Sequence, residues 1–318
     1  MVHTLLNLRS EGGVTMQVFK KILCPVDFSE YSVLALRYAF ALSRENDASL
    51  VLLHSVPDLS QAISYLEGNY IGTVHEAMMS NAAEKLDQFS ETVIHQDPDV
   101  MKIIERGSPS DAILKTAREI RADLIVMGTH GHSGYERFFL GSVTNKVLHK
   151  ATLPVLIVCR PTHHFIHEGA LREVEIKKIL CPLDFEPSSK EVAHVALSIG
   201  RMYQSEITFF HSVRKQGKTE SEDQEKLSME KLREVVDPSS ENWCKVRFQT
   251  NGGAAADEIL NIIERDNIDL VVMGHHARRP IEELFLGSVA KRVVTDSRCP
   301  VLVARSQTDS PGNEITLI

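Results

Sequence analysis

This sequence predicts an α/β protein made of two tandem doubly wound domains, each a five-stranded parallel sheet with helices on both faces. Three observations predict it: a repeat of domain length, apolar runs without polar alternation, and helix-period segments between those runs. In the repeat, Lys20 to Phe28 (KKILCPVDF) returns as Lys177 to Phe185 (KKILCPLDF), with eight of nine positions agreeing. His54-Ser55-Val56 recurs as His211-Ser212-Val213 at the same offset of 157. Farther on, Asp123 to Gly131 (DLIVMGTHG) matches Asp269 to Ala277 (DLVVMGHHA), and Phe139 to Val143 matches Phe285 to Val289, both at an offset of 146. The landmarks keep their order, so a whole domain is duplicated and the second copy has lost 11 residues from its middle. The expected domains are residues 19–159 and 176–305, with a polar, histidine-rich linker at 160–175 and a loosely held tail at 306–318.

In the first copy, Ile22 to Val26 is a short apolar run, read as the first strand. A helical stretch carrying Val33, Leu34, Leu36, Phe40 and Ala41 follows, then a second strand from Leu50 to Val56. Met79, Ala82, Leu86, Phe89 and Val93 recur at spacings of three and four, which marks a helix with one buried face. Val100 to Ile104 is the third strand. Ser108-Pro109-Ser110-Asp111 then starts a helix, with a cap residue, proline at the first helical position and an acid in the first turn. Leu124 to Met127 and Pro154 to Val158 are the fourth and fifth strands. Strands without alternation are buried on both faces, which implies a parallel sheet covered by helices. The second copy holds one exception: Cys244, Val246, Phe248 and Thr250 alternate with Lys245, Arg247 and Gln249, as an edge strand with one wet face would.

Composition narrows the class. At 318 residues, 43% hydrophobic and 25% charged, the chain suits two globular domains and not a disordered one. A net charge of −8 speaks against a protein whose main task is gripping nucleic acid. Five cysteines without a C-x-x-C pair fit a reducing cytoplasm better than a disulfide framework. The stretch from Met1 to Met16 is too broken for a signal peptide or membrane span, and Met16 stands as an alternative start.

The chemistry gathers at one predicted sheet edge. Ligands of doubly wound sheets sit beyond the carboxyl ends of the strands, where the strand order reverses. After the fourth strand comes Gly128-Thr129-His130-Gly131-His132-Ser133-Gly134, three glycines whose bare amides can approach an anion. Gly141-Ser142 then opens another helix, with Ser142 suited to the cap and the helix N-terminus to a phosphate. Across the sheet, Asp27 ends the first strand, where a carboxylate can accept hydrogen bonds from a ribose.

On these residues the chain resembles a tandem member of the universal stress protein family, over nearly all of both copies. The family's ATP-binding subset shows G-x-x-G, nine residues, then G-[ST], a spacing that Gly128, Gly131, Gly141 and Ser142 reproduce. Its first strand ends in Pro-x-Asp, met by Pro25-Val26-Asp27. The resemblance implies a Rossmann-like fold of the adenine nucleotide alpha hydrolase type and a role in stress response. It implies ATP or AMP as ligand, with Mg or Mn carried on the phosphates and no metal ligand from protein side chains. Pro25, Asp27, Ser55 and Val56 would border adenine and ribose; the loop from Gly128 to Gly134 and Gly141, Ser142, Val143 and Thr144 would hold the phosphates. Val26 and Met127 complete that nucleotide site. Family members pair through the strand ending each domain, so Pro154 to Val158 and Pro300 to Ala304 are expected to join the copies as an intrachain pseudo-dimer, with whole-chain dimerisation open.

The second copy departs from the pattern. In Gly274-His275-His276-Ala277, nine residues, Gly287-Ser288, alanine replaces the second glycine. A Cβ there costs about 1 kcal/mol or blocks the anion; Arg278 and Arg279 could compensate by grasping phosphate or be plain surface charge. The corresponding second site comprises Pro182, Asp184, Ser212, Val213, Gly274, Gly287, Ser288 and Val289, and weakened, retuned and vacant pockets all stay open.

Simpler readings compete at several residues. His54 and His211 sit at equivalent strand ends and read as structural or pocket-lining. His130, His132, His275 and His276, like His163, His164 and His167 of the linker, lack the acid or cysteine partners that a metal site needs. Cys24 and Cys181 read as core residues, and the acidic run from Glu220 to Glu225 as a solvated helix face. The sequence holds no P-loop lysine motif, nucleophile elbow or evident triad. A regulatory adenine-nucleotide binder is therefore the favoured function; a slow ATPase or a phosphoryl- or adenylyl-transferring enzyme, and an interaction module with vestigial pockets, are the alternatives.

Overall fold

The structure is a computed structural model that describes residues 18–58, 69–94, 99–129, 140–159, 166–167, 170–213, 218–236, 244–275 and 286–304. The first repeat runs β1 (Lys21–Pro25), α1 (Glu30–Asn46), β2 (Ser49–Val56), α2 (Asn69–Ile94), β3 (Val100–Arg106), α3 (Pro109–Glu119), β4 (Leu124–Gly128), α4 (Ser142–Lys150) and β5 (Val155–Val158). Two short strands follow, β6 (Ile166–His167) and β7 (Ala170–Val174). The second repeat runs β8 (Lys178–Pro182), α5 (Ser189–Tyr203), β9 (Glu206–Val213), α6 (Lys218–Val235), β10 (Lys245–Gly252), α7 (Ala255–Asp266), β11 (Leu270–Gly274), α8 (Ser288–Asp296) and β12 (Val301–Ala304).

Local chemistry sets several of these boundaries. Ser29 caps α1 by accepting from the Ser32 amide, and Asp47 ends the helix in the left-handed conformation (φ 52°). Ser108, Pro109 and Asp111 open α3 as their order predicts. At the amino ends of the strands, the Asp123 carboxylate accepts from the Lys20 amide (2.7 Å) and the Lys21 amide (3.2 Å). Asp269 repeats the arrangement with Lys177 (2.9 Å) and Lys178 (2.8 Å). These aspartates tie β1 to β4 and β8 to β11 at the end of the sheet opposite the predicted site.

All ten main strands form one sheet, ordered β10-β9-β8-β11-β12-β5-β4-β1-β2-β3. Neighbours are parallel within each repeat, and the repeats meet where β12 and β5 pair antiparallel, with Val301 opposite Ile157, Leu302 opposite Leu156 and Val303 opposite Val155. These are the edge strands the sequence singles out for pairing. Within a repeat the chain moves outward from β1 through β2 to β3, then returns to lay β4 and β5 on the other side. The order therefore reverses between β1 and β4, and again between β8 and β11, which opens a crevice at each carboxyl end. Strand β10 lies at one edge of the sheet, as its alternation predicts, with Lys245 and Arg247 reaching back to Glu206 at 2.6 Å and 2.9 Å.

The period of two along each strand divides the core into two layers. Ile22, Cys24, Leu50, Leu52, Leu124 and Val126 face α1 and α2, together with Leu36, Leu86, Phe89 and Val93. Leu23, Val51, Leu53, Ile125 and Met127 face α3 and α4, with Ile113, Ala117, Val147 and Leu148. Each layer continues through β5 and β12 into the second repeat, so the two halves share their hydrophobic interior. Burying a Leu- or Val-sized side chain contributes about 1.5–3 kcal/mol.

The linker differs from expectation. Instead of a polar spacer, part of 160–175 is the β6–β7 hairpin, in which Ile166 pairs with Val174 and both are buried. Strand β7 packs against α1. Ile166 and Val174 belong to the same buried cluster as the core residues of α1, which seats the hairpin on the first repeat. No helix among the described residues is long and apolar enough to cross a membrane.

Candidate functional site

The crevice of the first repeat is bounded by the ends of β1, β2 and β4 and by the start of α4. Asp27 lies in the turn after β1, anchored through Oδ1, which accepts from the Ser32 hydroxyl (2.6 Å) and the Ser29 amide (3.1 Å). The same turn places Phe28 at φ 66°, a left-handed conformation that a bulky side chain rarely adopts. Its ring lies 4.3 Å from that of His54, whose Nδ1 is 2.8 Å from the Val26 carbonyl oxygen. Phe185 and His211 reproduce this, with φ 66°, a ring distance of 4.1 Å and Nδ1 2.7 Å from the Leu183 oxygen. His54 and His211 thus brace the strained turn, in line with the structural reading. Phe28 and Phe185 escaped the sequence reading, although each closes the nine-residue block shared by the repeats; nothing in the letters signals left-handed backbone.

The helix start differs in one detail from the sequence reading. Gly141, not Ser142, is the cap residue: it is extended (φ −55°, ψ 143°), and its carbonyl accepts from the Asn145 amide at 2.8 Å. Ser142 is the first helical residue and its side chain is exposed. The Gly141 amide donates to the Thr129 oxygen (2.8 Å), and the buried Thr144 hydroxyl donates to the Gly128 oxygen (2.9 Å). Thr144 therefore spends its proton bracing α4 against β4. Gly128 is required for a reason the motif does not reveal. A Cβ there would lie 2.8 Å from Tyr31 Cβ and 3.1 Å from the Tyr31 oxygen, so the missing side chain lets α1 rest on the end of β4. Pro25, Val26, Ser55, Val56, Met127, Thr129 and Val143 stand at the same edge on β1, β2, β4 and α4 or just beyond them. His130, Gly131, His132, Ser133 and Gly134 lie outside the described residues, as do His276, Ala277, Arg278 and Arg279.

In the second repeat the predicted residues meet around one cavity of about 1150 Å³, lined by Pro182, Asp184, Ser212, Val213, Gly274, Gly287, Ser288 and Val289. Two helices begin at its rim, α7 after the cap residue Ala254 and α8 after Gly287. Each N-terminus presents unpaired backbone N–H groups and the positive end of a helix dipole, a setting that favours an anion. Asp184 Oδ1 accepts from the Ser189 hydroxyl (3.0 Å) and the Glu186 amide (3.1 Å), as Asp27 does in the first repeat. The Ser212 hydroxyl donates to the Gly253 oxygen (2.8 Å). One wall comes from α6, with Gln224, Leu227, Ser228 and Lys231. The Lys231 ammonium sits 5.7 Å from the centre of the Phe185 ring, which holds a cation inside the cavity. These α6 residues fall where the copies differ by the 11-residue deletion, so the repeat could not point to them.

Among the described residues, no three His, Cys, Asp or Glu side chains converge as a metal site would require. All five cysteines are buried. Burial pushes the thiols of Cys159 and Cys299 up to about 12 and that of Cys244 up to about 11, and raises those of Cys24 and Cys181 as well. Thiols held protonated in this way are poor nucleophiles.

Comparison with known proteins agrees with this architecture. The Universal stress protein family matches residues 19–159 and 175–305. A universal stress protein of Mycolicibacterium smegmatis is 25% identical over 295 residues, spanning 89% of this chain and 96% of its own. One from Methanocaldococcus jannaschii is 32% identical over 145 residues, 45% of this chain and 84% of its own. The crystal structure of a universal stress protein from Archaeoglobus fulgidus shares the fold, with a TM-score of 0.66 at 22% identity over 93% of this chain and 99% of that one.

Proposed function

The chain belongs to the universal stress protein family, and we propose that within it the protein is a regulatory adenine-nucleotide binder, taking ATP or AMP in the crevice of its first repeat. One observation carries this reading: a helix start, a strand-end carboxylate and small residues converge where the strand order reverses, and the equivalent groups of the second repeat enclose a cavity of about 1150 Å³. That volume is slightly above the roughly 300–1,000 Å³ of ordinary small-molecule sites, so it leaves room for a nucleotide. The resemblance of Gly128, Gly131, Gly141 and Ser142 to the family's ATP-binding spacing supports the identity of the ligand.

In this reading, backbone amides at Gly141 to Val143 and in the loop through Gly131 receive the phosphates, and α4 directs its positive end at them. Asp27, held by Ser29 and Ser32, accepts from the ribose hydroxyls. A divalent ion, Mg or Mn, rides on the phosphates. Binding alters the surface at the carboxyl edge of the sheet, which partners in a cytoplasmic stress response would read. To test this, the purified protein is extracted with acid and any adenine nucleotide identified, then the stripped protein is titrated with ATP while phosphate release is followed. Tight binding without multiple turnover is expected. Absence of binding would overturn the reading, and sustained turnover would replace it with the ATPase.

A further inference from the structure

Helix α4 connects the two halves of the molecule. Its first turn is fixed to β4 by the Thr144 hydroxyl, which donates to Gly128 (2.9 Å). Its last turn carries His149, which reaches into the second repeat. The Leu286 amide donates to His149 Nδ1 at 3.0 Å, across 137 positions of chain. Because an amide can only donate, Nδ1 is the acceptor; Nε2 then carries the hydrogen and donates to Asn145 Oδ1 at 3.1 Å. The His149 ring also meets the buried His275 edge-on, with centroids 6.4 Å apart. Leu286 immediately precedes Gly287, the cap residue of α8, and lines the second cavity.

The repeats are not equivalent here. At the position of Thr144 the second copy has Ala290, which has no hydroxyl to tie α8 to β11. At the position of His149 it has Thr295, whose hydroxyl donates to Lys291 within its own helix (2.8 Å). The first repeat thus braces its own helix start, whereas the second repeat borrows a brace.

We propose that His149 is a positioning residue for the second repeat's cavity: its imidazole holds Leu286, and through it the amides at the start of α8, in the arrangement that receives a phosphate. The identity of the ligand rests on the nucleotide reading above; the positioning itself does not.

The test uses the full chain with His149→Ala and His149→Asn, the latter keeping a carbonyl oxygen near the place of Nδ1. Hydrogen exchange of the Leu286 amide is measured without ligand, and ATP is titrated while the amides of Ser142 and Ser288 are followed by NMR. In His149→Ala, exchange at Leu286 rises roughly fivefold, as expected for loss of one neutral hydrogen bond. ATP affinity read at Ser288 falls by a similar factor, affinity read at Ser142 changes less, and His149→Asn restores both values. Exchange within twofold of wild type in His149→Ala would overturn the proposal, as would faster exchange with unchanged affinity at Ser288. If ATP moves Ser142 but not Ser288 in wild type, the second cavity receives no phosphate and the proposal is overturned; if it moves neither amide, the nucleotide reading fails as well, and the exchange measurement still decides whether His149 positions Leu286.

Discussion

Adding a single methyl group at equivalent positions of the two repeats should have unequal consequences. In Gly128→Ala the new Cβ would sit 2.8 Å from Tyr31 Cβ, 3.1 Å from its oxygen and 3.2 Å from its carbonyl carbon. All three atoms belong to the first turn of α1, which Ser29, Ser32 and Asp27 lock in place, so relief requires moving that turn and the Asp27 carboxylate with it. Overpacking of this kind costs about 1–3 kcal/mol. Neither glycine has left-handed backbone, so alanine also recovers about 0.4–1 kcal/mol by restricting the unfolded chain. The net is a loss of roughly 1–2 kcal/mol. In Gly274→Ala the Cβ meets one atom, Val192 Cγ2 at 3.2 Å, a contact relieved by a shift of a few tenths of an ångström with no backbone in the way. That variant should stay within about 0.5 kcal/mol of wild type. Urea unfolding followed by circular dichroism measures both, and ATP titration shows whether the displaced Asp27 weakens binding in the Gly128 variant. Equal midpoints for the two variants, or a larger loss at Gly274, would refute the packing argument.

Two further outcomes follow from buried titratable groups. Burial raises the Asp123 carboxyl above its usual 3.8, against the opposing pull of the Lys20 and Lys21 amides. The folded state therefore holds that proton more tightly, so the group's stabilisation is full below 3.8 and is lost as pH rises through the raised value. Relative to Asp123→Asn, the wild type should lose stability across that window in urea midpoints measured against pH; a gain would contradict the assignment. For the thiols, a colorimetric thiol reagent should leave the native chain unlabelled and modify all five cysteines once denaturant is added. Rapid labelling of the native protein would show that one of them is accessible and activated.

Much of this architecture was legible in the letters because it rests on periodicity. Unbroken apolar runs marked the parallel strands, the alternation around Phe248 marked the edge strand, and the duplicated KKILCP block marked β1 and β8. What remained hidden depends on contacts between distant parts of the chain. Ile166 and Val174 look unremarkable until they join the buried core, and the need for glycine at 128 arises from Tyr31, far away in sequence. The bond from Leu286 to His149 joins two repeats that a repeat-by-repeat reading keeps apart. For the site, spacing identified the residues around the second cavity but not the α6 wall with Lys231, nor the left-handed turns at Phe28 and Phe185.

The most direct measurement of the central claim is calorimetric titration of the full chain with ATP, comparing wild type with Gly131→Val. If bare amides near Gly131 and at the start of α4 receive the phosphates, wild type binds at least one ATP per chain and the variant loses one equivalent. A wild type that binds no ATP, or a Gly131→Val chain with unchanged stoichiometry and affinity, would contradict the account.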